Sequence, residues 1–289
     1  MIDVLWVAVR ALALALLLQS SGAALFVVAF GPSLAHSANG IARLARNGAC
    51  VTLAVLVLQG ALELARMAGD WSGVLDPALC RALLDSSTGH ALAVRGAALV
   101  VLVPALAASS APLRGRMRTL IALAAVALAA GSFTLTGHTL VSAYHWLLAP
   151  LLLAHILVLA FWFGALWPLA RMTRAEPPPA AAAVLLRFSA AAVWLVPLMA
   201  LAGAGMSVLL LPDAAALLEP YGRLLLLKIA LFALLMGLAA LNRLRLVPAV
   251  ARGEAAGLRA LRTSMAAEYL LICAAITVAA VMTGFFSPA

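Results

Sequence analysis

Three of the chain's five histidines fall in one short stretch, GHTLVSAYHWLLAPLLLAH, from Gly137 to His155. Imidazole is the commonest metal-binding side chain, and it suits copper. His138 and His155 flank the join between two apolar runs, so from adjacent helices they can share one ion at a common mouth. A lone histidine there would serve as well as an interhelical hydrogen-bond donor, and His138 as a helix cap; two facing one mouth favour a ligand. His145 lies between them in SAYHWLLA, where Tyr144 and Trp146 belong at headgroup level. His90, near the start of an earlier run, is a further candidate for the same mouth, whereas His36 falls on the opposite side.

Sulfur is the second ingredient. In VWLVPLMALAGAGMSVLLL, Met199 and Met206 are seven residues apart and share a helix face, with Gly203 and Gly205 allowing close approach of a neighbour. Thioethers favour Cu(I), although methionine on an apolar helix is more often packing; Met282 is similar. Ionisable residues inside apolar runs are the third. Arg10, Glu63, Arg95, Lys228 and Glu268 would each cost about 2.5–3.5 kcal/mol or more at a bilayer centre. They are expected to face the protein interior and pair, or to line a hydrated path.

The elements that must position these groups follow from composition. The chain is 66% hydrophobic and 10% charged over 289 residues, against about 25% charged in soluble domains. Continuous apolar runs long enough to span a hydrocarbon core recur throughout, which predicts an all-α polytopic membrane protein and not a barrel of short alternating strands. Eight spans are expected, near 4–30, 48–67, 90–109, 118–137, 147–169, 185–211, 223–246 and 265–286, forming one transmembrane domain over 1–289. The first run reads as a retained span, since Asp3 and no basic segment precedes it. A short amphipathic helix is expected from Asp76 to Leu84. Pro150 fits the first turn of the fifth span, where its missing N–H costs nothing; an earlier start would place His155 deeper.

The formal charge of +9 does not imply nucleic-acid binding. Thirteen arginines, from Arg43 and Arg46 to Arg259 and Arg262, fall in the loops after spans one, three, five and seven, while Arg66, Arg81 and Arg223 edge the alternate loops. This asymmetry puts both termini outside, in a bacterium the periplasm. Cys50, Cys80 and Cys273 are isolated and form no disulfide framework or zinc spacing. No G-x-x-x-x-G-K-[ST] loop and no phosphorylatable-aspartate pump motif is present, and the chain is expected not to be an enzyme.

Several of these residues carry a resemblance. Gly137–His138, then HILVLAFWFGALWPL from His155, resembles the signature of the copper resistance protein D (CopD) family, in which a Gly-His pair ends one helix and a histidine precedes a Trp-x-Gly helix. The likeness extends through GHALAVRG, Arg187–Phe188–Ser189, YGRLLLLK, Asn242–Arg243 and LRTSMAAE. His138 and His155 occupy the family's histidine positions and Trp162 and Gly164 its Trp-x-Gly; Ala165 stands where a second glycine is common, and His90 and His145 lie outside the motif. The resemblance implies a multi-pass protein of the bacterial inner membrane, handling copper, Cu(I) or Cu(II), from periplasm toward cytoplasm. A separate periplasmic CopC-like protein is the partner it implies, beside the membrane lipids. Two other readings of the residues stand beside this one: a haem-binding redox protein with paired axial histidines, and a copper-delivery or assembly factor that transports nothing.

Overall fold

The computed structural model describes residues 2–107, 115–137, 140, 142–211 and 213–286. Ten α-helices account for nearly all of them, and no strand occurs among the described residues: α1 Ile2–Phe30, α2 Ala38–Ala68, α3 Pro77–Leu84, α4 Ser87–Ala105, α5 Gly115–Gly131, α6 His145–Ala175, α7 Pro178–Leu210, α8 Pro220–Leu241, α9 Val247–Ala251 and α10 Ala255–Phe285. Eight helical segments are long and apolar enough to cross a membrane, as the hydropathy predicts. Eight crossings put the start of α1 and the end of α10 on one side, here called the terminal face; the opposite side is the arginine face.

Local chemistry sets the turns. α2 stops at Gly69, whose φ of 87° lies in the left-handed region that glycine alone enters freely. The polar segment beyond it is capped three times: Asp70 accepts from Ser72 N–H, Asp76 from Ala78 and Leu79 N–H, and Ser86 from Gly89 N–H. These caps build the short helix α3 where the sequence predicts it. Elsewhere the helices overrun the apolar runs. α2 starts at Ala38, α7 at Pro178 and α10 at Ala255, while α6 continues to Ala175. Backbone hydrogen bonding, not hydropathy, ends a helix, so the charged turns stay helical. Arg43, Arg46, Arg171, Arg174, Arg187, Arg259 and Arg262 therefore sit on helix ends and not, as expected, in loops. Their stems can lie along the helix while the guanidinium reaches water.

α1 is the hub. It packs against α2, α5, α6 and α10, and contributes to both large apolar cores. It meets α6 at very close range. A Cβ built on Gly22 would run into the carbonyl of Ala160, and one built on Gly164 into Gly22 Cα. The two helices thus cross backbone on backbone, with no room for a side chain at either glycine. α7 packs on α6 and α8 on α10, but α7 and α8 scarcely meet. Trp194 and Val208 on α7 are 80% and 77% exposed, as lipid-facing residues should be.

Glu176, between α6 and α7, fastens the arginine face. Its Oε1 accepts from the N–H groups of His36 and Ser37 at 2.9 and 2.7 Å and from the Ser37 hydroxyl at 2.6 Å. It thereby caps α2 from across the bundle. Burial disfavours the charged form, but the Ser37 and His36 hydrogen bonds outweigh it and hold the carboxyl below its ordinary value.

The helix crossing and the carboxylate cap can each be tested. Gly22→Val or Gly164→Val should destabilise the detergent-solubilised protein by on the order of 3 kcal/mol, whereas Gly96→Ala and Gly237→Ala, which have open space around them, should leave the melting temperature unchanged or slightly raised. For Glu176, the folded-state value is depressed, so its contribution is complete above the ordinary carboxyl range and disappears as pH falls through the lower, folded value. A melting-temperature series against pH should show this acid loss in the wild type and a flatter profile in Glu176→Gln.

Candidate metal site

Ser142 turns the chain into α6: its carbonyl accepts from His145 N–H at 3.0 Å and its hydroxyl from Tyr144 N–H at 3.2 Å. The helix therefore begins at His145, and Pro150 lies in its interior, not in the first turn as the sequence suggests. The correction moves His155 to ten residues inside α6, about 15 Å along its axis. Of the two placements weighed from sequence, the deeper holds.

At that depth His155 meets α7. Its Nδ1 lies 3.1 Å from the carbonyl oxygen of Met199. A carbonyl can only accept, so Nδ1 carries the proton and donates, and Nε2 keeps its lone pair. Nε2 has no hydrogen-bond partner among the described residues. Metal-binding histidines are commonly prepared this way, with one ring nitrogen tied to an oxygen and the other left to coordinate. Gly203 makes room: a Cβ there would stand 3.4 Å from Cε1 and Nδ1 of the ring. One turn toward the terminal face, Gly205 faces Leu151 in the same way, and Met206 comes directly after it, partly buried. Lys228 on α8 is close enough to His155 for the two to interact electrostatically.

The other candidates are dispersed. His138 lies outside the described residues. His145 is exposed at the start of α6, and His90 is exposed near the start of α4. α4 packs on α2 and α5, so helix packing does not bring His90 to His155. Among the described residues no three of His, Cys, Asp and Glu gather closely enough to hold a metal ion. The part of the candidate site on view is His155, held by Met199 and Gly203, with Met206 one turn above.

The intramembrane charges face inward, but largely without ion pairing. Arg10 donates to Thr283 Oγ1 at 3.0 Å and lies over the Trp6 ring, its guanidinium carbon 5.0 Å from the centroid. Arg95 donates to Ser132 Oγ at 3.0 Å and lies 4.9 Å from the centroid of Phe133. Glu268 accepts from Trp162 Nε1 at 3.0 Å and from Asn242 Nδ2 at 2.5 Å. Among the described residues Glu63 lies 3.9 Å from Arg66, which itself binds Asp3 more closely at 2.9 Å, and it also attracts Arg10 electrostatically. Lys228 has no carboxylate partner among the described residues. Neutral hydroxyl, indole and amide groups thus take the place of the expected counter-ions. Trp162 and Asn242 stand in the quoted motifs, but their roles as partners of Glu268 do not show there. The available signal was Trp162 at seven residues from His155, on the same face of one helix.

Two comparisons with family models match. Residues 1–146 match the model described as copper resistance protein D-like, N-terminal domain, and residues 182–282 match copper resistance protein D. Most of α6, with His155 and Trp162, lies between the two matched segments. Neither the curated proteins nor the solved structures gave a match. The N-terminal match alone covers half the chain, and the chain belongs to the copper resistance protein D family.

Proposed function

We propose that the protein is a copper permease of the bacterial inner membrane, holding the ion at His155 with His138 and Met206 and passing it inward. The observation that carries this reading is the contact of His155 Nδ1 with the Met199 carbonyl: it calls for a proton on Nδ1 and so leaves Nε2 as a fixed lone-pair donor, with a thioether a turn above it. Imidazole with thioether suits Cu(I) better than Cu(II). In this reading both termini, and with them the mouth, face the periplasm, because the arginines cluster at the other side. A separate CopC-like protein would supply the ion there. Copper is cargo, and no bond is made or broken, so the protein is not an enzyme.

Lys228 gives the site a particular character. A positive charge near the imidazole opposes a bound cation, and opposes a divalent ion twice as strongly as a monovalent one. Such a site holds copper without trapping it.

Purified protein loaded with Cu(I) should bind a stoichiometric ion, and His155→Ala should weaken binding by tenfold or more. Gly203→Leu, which pushes a side chain against the ring, should weaken it comparably although it removes no ligand. Lys228→Met should tighten binding roughly three- to tenfold, as expected for removing about 1 kcal/mol of repulsion. Uptake into sealed proteoliposomes separates a permease from a delivery factor, which would bind copper and leave the lumen empty. Copper binding indifferent to His155→Ala, or a haem Soret band in the purified protein, would overturn the reading.

A further inference from the structure

Seven residues beyond His155, and hence on the same face of α6, stands Trp162, about 10 Å nearer the arginine face. Its indole N–H donates to Oε2 of Glu268, a carboxyl 3% exposed in the middle of α10. The other oxygen, Oε1, accepts from the side-chain amide of Asn242. No lysine, arginine or histidine lies within ion-pair distance of Glu268 among the described residues. A carboxylate kept there only for stability would be expected beside a cation, because an uncompensated buried charge is costly.

The surroundings explain how the group is tolerated. Asn242 opens a π-helical turn, Asn242–Leu246, that interrupts the helical run from α8 to α9; such turns are frequent at functional sites. Its Oδ1 is buried and has no hydrogen-bond partner among the described residues. An amide presents a donor and an acceptor of nearly the same shape. With Glu268 ionised, Asn242 Nδ2 donates to Oε1. With Glu268 protonated, the amide turns over and Oδ1 accepts the new O–H. Trp162 donates to Oε2 in both states. Neither state loses a hydrogen bond, which an arginine or lysine in place of Asn242 could not achieve.

Neighbouring charges are committed elsewhere. Arg243 donates to the Ser189 carbonyl and hydroxyl, and Arg262 to Thr173. Arg245 is exposed, and Tyr269 stacks on Phe163 with centroids 4.8 Å apart. α8 has no ionisable side chain between Lys228 and Asn242, α9 has none, α1 has none beyond Arg10, α6 has none between His155 and Arg171, and Cys273 lies more than a turn further along α10.

We propose that Glu268 is a reversible proton-binding site, and that its proton exchanges against the copper ion held two turns away at His155, so that copper passage moves a proton. The proton site stands on Glu268 and its partners; the exchange rests on the reading of His155 as a copper ligand. The step balances simply. A copper ion entering the low-dielectric interior favours the carboxylate, which releases its proton, and departure of the ion lets the proton return. For Cu(I) the interior charge is then unchanged.

Infrared difference spectra of the copper-free protein in lipid, taken across pH, test the proton site. A protonated-carboxyl C=O band should appear as pH falls, be absent in Glu268→Gln, and shift in frequency in Trp162→Phe, where the carboxyl loses one hydrogen bond. If Glu268→Gln does not fold, the shift in Trp162→Phe still assigns the band. Absence of any such band over the pH range in which the protein stays folded overturns the proposal, whatever copper does. Cu(I) added to weakly buffered protein should then release one proton per ion and erase the band, while His155→Ala should keep the band and release nothing. A band that copper leaves untouched overturns the exchange. A wild type that binds no copper removes the reading of His155 and the exchange with it, and the pH series alone then decides the proton site.

Discussion

The approach of Gly22 to Gly164 sets the register of the whole molecule. Where two helices meet backbone to backbone they cannot slide, since any shift drives a Cβ into a carbonyl. α1 also reaches into both large apolar cores. Its hold on α6 therefore fixes the α2–α4–α5 side relative to the α7–α10 side. His155 and Trp162 stand on the same helix as Gly164, at depths which that crossing determines. The Trp-x-Gly pattern is in this sense one device: the tryptophan reaches toward α10, and the glycine two places on locks its helix against α1.

The buried charges show a second constraint. In a hydrocarbon surround one expects cations and anions to seek each other, yet Arg95 is met by a serine and a phenylalanine ring, and Glu268 by an indole and an amide. Ion pairs in low dielectric are strong and hard to separate, and removing one member is severe. Neutral partners satisfy the hydrogen-bonding geometry while leaving the charge itself uncommitted. For the proposed passage of copper that arrangement would be an advantage, because nothing has to be torn from a counter-ion first.

Much of the architecture was legible in the amino-acid sequence. The eight crossings and the capped helix α3 follow from apolar run length and from Asp76 standing before Pro77. Helix ends were not legible, because an arginine-rich turn such as that of Arg43 and Arg46 remains helical once α2 has been nucleated. Nor was the depth of His155, which depended on whether Pro150 begins a helix or interrupts one. The amide–carboxyl pair was hidden for a different reason. Asn242 and Glu268 are 26 residues apart, and their meeting depends on a local change of helical pitch that no side-chain pattern announces. The hydrogen bond that fixes the tautomer of His155 was equally out of reach, since its acceptor is a main-chain carbonyl and carries no mark in the residue type.

The change of pitch has a consequence for how this segment can vary. A π-helical turn holds roughly one more residue than an α-helical turn of the same rise, so Asn242–Leu246 is equivalent to a helix carrying a one-residue insertion. Deleting a residue there would return the run to uninterrupted α-helix with α8 and α9 in nearly their present relation, because the wide turn already absorbs the extra residue. What would be lost is the local backbone geometry that carries the Asn242 amide to Glu268, although both residues remained. Length in this stretch is accordingly under tighter constraint than composition: substitutions among the exposed positions around Leu244 leave the wide turn intact, whereas a single gap closes it.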